Sequence, residues 1–129
     1  MLKRGRGLCF AAALLAVLGC AQPSTAVVQV AIPTSGPARI CPLAQLLPFI
    51  LKGDSAKRPA VWGIDSSGKS FAIVWPAGFV ARFAPALSIV DGDARVVAHG
   101  GERITDASGA SVGSTFYVCS IGGHSYAGG

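Results

Sequence analysis

Four residues in this chain have the spacing of a phosphate-binding loop: Gly63, Gly68, Lys69 and Ser70 satisfy G-x-x-x-x-G-K-S. That chemistry needs the serine to open a helix whose first amides hold phosphate. Here Ser70 is followed by Phe-Ala-Ile-Val-Trp-Pro, an apolar β-type run closed by proline. The spacing is therefore read as a turn, with no nucleotide and no cofactor expected. His99 and His124 are the only histidines, and no serine lies in a nucleophile-elbow pattern, so catalysis has no local signature. Asp91 and Asp93 lack the further oxygen ligands in series that a calcium loop supplies. Met1 is the only methionine, which excludes copper(I) handling by thioethers. Aromatic residues remain. Trp62, Phe79 and Arg82 form the candidate binding surface, with Phe79 at a turn as the handle and Arg82 as its polar edge. Most of the aromatic residues are expected in the core.

The elements that would carry these residues are strands. Charged residues are 13% of a chain with 17 Gly and 8 Pro, a composition of turns and short strands with little long helix. Ala60 to Ile64 and Lys69 to Trp75 read as a hairpin around Asp65-Ser66-Ser67-Gly68, with Gly68 free to take positive φ. Phe71, Ile73 and Trp75 fall on one face of the second strand, and Ala72 and Val74 on the other. A strand apolar on both faces is central in a sheet or lines a small barrel. Trp75-Pro76-Ala77-Gly78-Phe79 reads as a turn with proline second and glycine fourth, after which Val80 to Phe83 is expected to pair back. Leu87 to Val90 and Arg95 to His99 flank Asp91-Gly92, the strongest short hairpin signal in the chain. Glu102 to Thr105 and Thr115 to Ser120 are further strands, and Phe49 to Lys52 is a first short one. Pro42 to Leu47 is expected as one helical turn, and Asp106 to Ser114 as a polar loop. The fold expected is all-β, a small antiparallel β-barrel or sandwich of about OB-fold size.

The front of the chain reads as a targeting signal. Met1 to Gly7 is cationic and Leu8 to Leu18 is apolar and uncharged, too short for a membrane span of about 20 residues and suited to the middle of a secretory signal. Val17-Leu18-Gly19-Cys20 follows and resembles the lipobox of bacterial lipoproteins. The resemblance implies that Cys20 carries a diacylglyceryl group, with palmitate-like chains, and becomes the first residue of the mature protein. Cleavage after Gly19-Cys20-Ala21 or Ser24-Thr25-Ala26 by ordinary signal peptidase is the alternative. Residues 1–19 are then signal, 20–37 a flexible tether, 38–121 the β domain and 122–129 a disordered tail; the run 27–32 has a second reading as an edge strand. The expected location is the cell envelope, periplasmic or at the surface, and secreted if no lipid is attached.

Net charge is +5, but Lys3, Arg4 and Arg6 belong to the signal, leaving eight basic residues against six acidic. Without a basic stripe, nucleic acid is not an expected partner. With Cys9 in the signal and Cys20 committed to lipid, Cys41 and Cys119 remain. In an oxidising compartment they are expected to form one disulfide. A zinc or redox role lacks neighbouring ligands or a C-x-x-C.

Val-Trp-Pro-Ala-Gly-Phe at 74–79 and Val-Asp-Gly-Asp-Ala-Arg-Val-Val-Ala-His-Gly-Gly-Glu at 90–102 resemble a group of uncharacterised exported bacterial proteins. Their pattern is a W-P-x-G-aromatic turn and a D-x-x-G-x-V-V-A-x-x-G-D hairpin. Here Ala94 stands where glycine is usual and Glu102 where aspartate is usual. The likeness implies export and a β fold, with no activity attached. The function expected is a lipid-anchored, non-enzymatic binding module with a protein or envelope-polymer partner. The alternatives are a small envelope hydrolase using His99, or a purely structural lipoprotein.

Overall fold

The computed structural model describes residues 27–36, 41 and 44–126. The expected signal, Cys20 and the chain up to residue 26 lie outside the described residues, as do 37–40, 42–43 and 127–129. The described part is all-β. The first sheet is antiparallel throughout, with β1 (Gln29–Ala31), β6 (Val80–Arg82), β7 (Ser88–Val90) and β8 (Val96–His99) in that spatial order.

The second sheet curls as a half-barrel. Its order is β2 (Gln45–Leu46), β10 (Ser108–Val112), β11 (Thr115–Ile121), β5 (Ser70–Val74), β4 (Val61–Ile64), β3 (Phe49–Gly53) and β9 (Arg103–Ile104), with β12 (His124–Ser125) added to β11. The β5–β11 pairing is parallel, an exception to the antiparallel expectation.

Both sheets bury their inner faces in one cluster. Phe49, Leu51, Ile73, Phe116, Val118 and Ile121 come from the second sheet, and Ala81, Ile89 and Ala98 from the first. Phe49, Phe71 and Phe116 meet edge to face, with ring centroids 5.5, 6.3 and 6.2 Å apart, the arrangement the ring quadrupole favours. Gly63 exists for this packing: a Cβ there would fall inside the Phe71 ring. The first glycine of the phosphate-loop spacing is thus accounted for by an aromatic neighbour. Gly68, at φ 87°, serves the β4–β5 turn, and Ser70 lies on β5 opposite Ile64.

Several expected elements are corrected. Residues 27–36 are not a free tether. β1 pairs with β6, Ile32 is buried, Trp75 N donates to the Pro33 carbonyl at 2.9 Å, and Ser35 N donates to the Trp75 carbonyl at 2.8 Å. The alternating Val30-Ala31-Ile32 run had enough apolar surface to dock, so the folded part begins before residue 38. That docking also explains β6. The Trp75 backbone is committed to residues 33–35, so the chain turns at Pro76–Phe79, where Phe79 N donates to the Pro76 carbonyl at 3.3 Å, and crosses to the first sheet. Pro76 is therefore first in the turn rather than second. Gly78 is third, with φ 87°, the position where a type II turn requires positive φ.

Where a helical turn was expected at 42–47, the described residues 44–47 carry strand β2, and Leu47 just after it donates its N–H to the Ala107 carbonyl at 3.0 Å; an open sheet edge outcompetes a single helical turn. The expected loop 106–114 contains β10. Its small residues have weak β-propensity, but Gly109 sits where any Cβ would overlap the Tyr117 carbonyl, so close backbone approach selects them. Finally, 122–126 is not a frayed tail. Ile121 and Ser120 pair with His124 and Ser125, and Tyr126 packs on the core. The sulfurs of Cys41 and Cys119 lie together at disulfide distance, with Cα atoms 6.2 Å apart and a sequence separation of 78. Closing such a loop contributes about 4.5 kcal/mol in the chain-entropy model.

Candidate functional site

On the second sheet, β4, β5 and β11 are neighbours, and their register sets Trp62 beside Ala72 beside Thr115, and Val74 beside Tyr117. Residues side by side on adjacent strands share a face, and alternation sends the intervening Phe71, Ile73 and Phe116 into the core. Trp62, Ala72, Val74, Thr115 and Tyr117 therefore line the outer surface, with Cys119 two residues beyond Tyr117 on the same side.

Two adjoining hollows run over this face. One of about 350 Å³ is bounded by Lys57, Arg58, Pro59, Trp62 and Ala72. The other, of about 670 Å³, is bounded by Ile32, Pro33, Arg58, Pro59, Ala72, Val74 and Tyr117. They share Arg58, Pro59 and Ala72, which makes them one groove. Its body is apolar and aromatic, and its charged edge is cationic, with no carboxylate among the lining residues. Lys57 Nζ lies 5.4 Å from the Trp62 ring centroid, a cation–π contact. Arg58 Nη1 donates to the Ser55 and Lys57 carbonyls at 2.9 and 2.6 Å. Among the described residues neither cation has an ion-pair partner.

A second polar centre lies at the loop between β7 and β8. Asp91 is 3% exposed, the one buried charged side chain among the described residues. Its Oδ1 accepts from the amides of Asp93 and Arg95, both at 2.9 Å. Its Oδ2 accepts from Arg95 Nε at 3.0 Å and from the Tyr126 hydroxyl at 2.8 Å. Desolvation pushes this carboxyl up, but the combined hydrogen bonds from Arg95, Tyr126 and Asp93 outweigh it and hold it at about 2. The Tyr126 phenol is pushed up to about 12 by burial and by the Asp91 charge. Arg95 Nη1 also donates to His124 Nε2 at 3.2 Å, and the Tyr126 ring meets Phe79 edge-on at 4.8 Å. With four donors already on Asp91, this carboxylate has no acceptor position left for a cation. It is a fastener that ties β12 to the β7–β8 loop.

The three residues expected to form one surface are not brought together. Trp62 lines the groove. Phe79 is 3% exposed and stacks on Trp75 at 6.0 Å between centroids, so it is core and cannot act as an exposed handle. A proline-led turn let its ring fold inward, where Trp75 and Tyr126 hold it. Arg82 lies on β6 in the other sheet, opposite Gln29 and Ser88. His99, the residue of the hydrolase alternative, is exposed on β8 opposite Ser88, beyond a bulge between Ile89 and Val90. The β-pattern of the sequence gives no hint of Tyr117 or Tyr126 in these roles, beyond Tyr126 being the one bulky residue in a glycine-rich segment. The chain matches no protein-family model, no curated protein and no solved structure.

Proposed function

We propose that this chain is an exported, lipid-anchored protein of the cell envelope whose folded part is a small non-catalytic binding module, and that the Trp62–Tyr117 groove is its binding site. The observation that carries the reading is the composition of that groove: an aromatic and apolar trough edged by Lys57 and Arg58, with no lining carboxylate. Such a site takes a partner with a flat or apolar body and a negative group, as offered by an acidic peptide segment or an anionic envelope polymer. The cationic and apolar blocks before Cys20 support export, and a Cys41–Cys119 bridge suits an oxidising compartment. With Phe83 N donating to the Val28 carbonyl at 2.8 Å and β1 starting at Gln29, the tether of this reading shortens to residues 21–26, at most about 21 Å of extended chain.

The probe that fits the groove is anilinonaphthalene sulfonate, a flat aromatic anion. Its fluorescence should rise on binding, with energy transfer from Trp62. The signal should be lost in Trp62→Ala and strongly reduced in the Lys57→Ser, Arg58→Ser double variant. Equal binding by all three proteins would remove the groove from consideration. For the anchor, intact mass of protein recovered from membranes should show a diacylglyceryl modification at Cys20; an unmodified chain starting elsewhere would overturn that part.

A further inference from the structure

We infer that the outer face of the first sheet carries a phosphate-binding row, separate from the groove. Four strands contribute one residue each. Gln29 stands opposite Arg82, Arg82 opposite Ser88, and Ser88 opposite His99. Opposed residues of antiparallel strands project to the same side, so an amide, a guanidinium, a hydroxyl and an imidazole stand in line. The next row, Val30, Ala81, Ile89 and Ala98, turns the other way, with Ala81, Ile89 and Ala98 buried in the core cluster. The polar row therefore faces away from it.

Nothing in the fold uses these groups. The Arg82 side chain has no hydrogen bond or ion pair among the described residues, and its Nε is buried without an acceptor. The His99 imidazole is exposed and likewise without a partner among the described residues. A half-buried guanidinium missing an acceptor is a demand for an anion. The row itself holds no carboxylate to meet it; Glu102, past the turn that follows His99, is exposed and makes no ion pair among the described residues.

The geometry favours phosphate over carboxylate. Strands about 4.8 Å apart place the Arg82 and His99 backbones roughly 10 Å apart with Ser88 midway. That gap accepts one tetrahedral group with a hydrogen bond on each side and a third from the hydroxyl below. A carboxylate offers two coplanar oxygens and satisfies the guanidinium fork alone. Two sources share the chemistry, free phosphate and the glycerophosphate of a lipid headgroup. Gln29 is the first residue of β1, at the end where the chain arrives from its N-terminal segment, which on the anchored reading is the end nearest the bilayer.

The test is amide shift mapping of the full chain by NMR, titrated with inorganic phosphate and with sn-glycerol 3-phosphate against a chloride control. Both ligands should give saturable shifts centred on Arg82, Ser88 and His99. Affinity should fall about tenfold in Arg82→Gln, the loss of one charge-assisted pair, and less in Arg82→Lys. Trp62→Ala should bind phosphate unchanged, which separates this site from the groove. Tighter glycerophosphate binding identifies a headgroup site, and equal affinities a free-phosphate site; either supports the row. Chloride reproducing the phosphate shifts, or Arg82→Gln binding as well as the parent, would overturn it. Should Arg82→Gln fail to fold, the Ser88→Ala, His99→Gln pair decides in its place by the same several-fold loss.

Discussion

Two hairpin loops in this protein follow one hydrogen-bond plan and end in different places. In residues 65–69, Asp65 Oδ1 accepts from the amides of Ser67 and Lys69, Asp65 N donates to the Lys69 carbonyl, and Gly68 N donates to the Asp65 carbonyl. In residues 91–95, Asp91 Oδ1 accepts from the amides of Asp93 and Arg95, Asp91 N donates to the Arg95 carbonyl, and Ala94 N donates to the Asp91 carbonyl. The fourth residue has positive φ in both, 87° at Gly68 and 65° at Ala94. Each loop is an aspartate-led turn closed by a basic residue. They diverge at the remaining carboxylate oxygen. Asp65 gains only a hydrogen bond from the Ser67 hydroxyl at its Oδ1, whereas Asp91 Oδ2 accepts from the nearby Arg95 side chain and from Tyr126, 35 residues further along the chain. A local turn needs one oxygen; a tertiary fastener needs both.

The largest effect expected from this difference is on stability. Asp91→Ala strips four donors of their acceptor, two of them side chains ordered for that purpose, and should lower the Tm by roughly 10 °C. Asp65→Ala, on an exposed loop, should lower it by roughly 3 °C. Differential scanning calorimetry of the pair checks this. Equal losses would mean that Tyr126 and Arg95 add nothing to the turn.

Next in size is the pH dependence, which only the Asp91 loop should show at both ends. The Asp91 carboxyl is held at about 2 against an ordinary 3.8. Its contribution is complete above 3.8 and is lost as pH falls towards 2. The Tyr126 phenol stands at about 12 against 10.0, so its contribution is complete below 10 and is lost as pH rises towards 12. Denaturant unfolding across pH should therefore show a plateau with two limbs. Tyr126→Phe keeps the ring against Phe79, removes the alkaline limb and lowers the Tm by roughly 4 °C. An alkaline limb of unchanged height in that variant would detach the phenol from the fastener.

What could be read in the letters follows the same division. The β4–β5 hairpin, the strand faces of Phe71, Ile73 and Trp75, and the Cys41–Cys119 pair were legible because period, turn residues and cysteine number are local or countable signals. The β7–β8 loop was half legible. Asp91-Gly92 looked like a two-residue turn, yet Gly92 does not have positive φ and Ala94 does. The D-x-x-G pattern pointed to position 94, and the match between Asp65…Lys69 and Asp91…Arg95 would have given the five-residue loop. The partners across the chain were not legible. The edge-strand reading of 27–32 is met by β1, but that residues 33–35 hold the Trp75 backbone, that Tyr126 reaches Asp91 and that Phe79 turns inward depend on packing between distant segments, and each was hidden in glycine- or proline-rich sequence of low apparent structure.

The smallest effect tests the shared plan itself. A residue with a Cβ at positive φ costs about 1 kcal/mol relative to glycine, so Gly68→Ala should destabilise by about that amount; a Cβ there would meet nothing within 4 Å, leaving backbone strain as the only cause. Ala94 already carries that strain. Ala94→Gly should relieve it, but glycine adds freedom to the unfolded chain, which offsets part of the gain. The net should be about 0.5 kcal/mol of added stability, read as a higher urea midpoint at unchanged m-value. The two substitutions must have opposite signs if the loops are one design. Should Ala94→Gly destabilise, the Asp91 loop depends on a stiff fourth residue to aim Arg95 at its carboxylate, and the likeness between the loops ends at their hydrogen bonds.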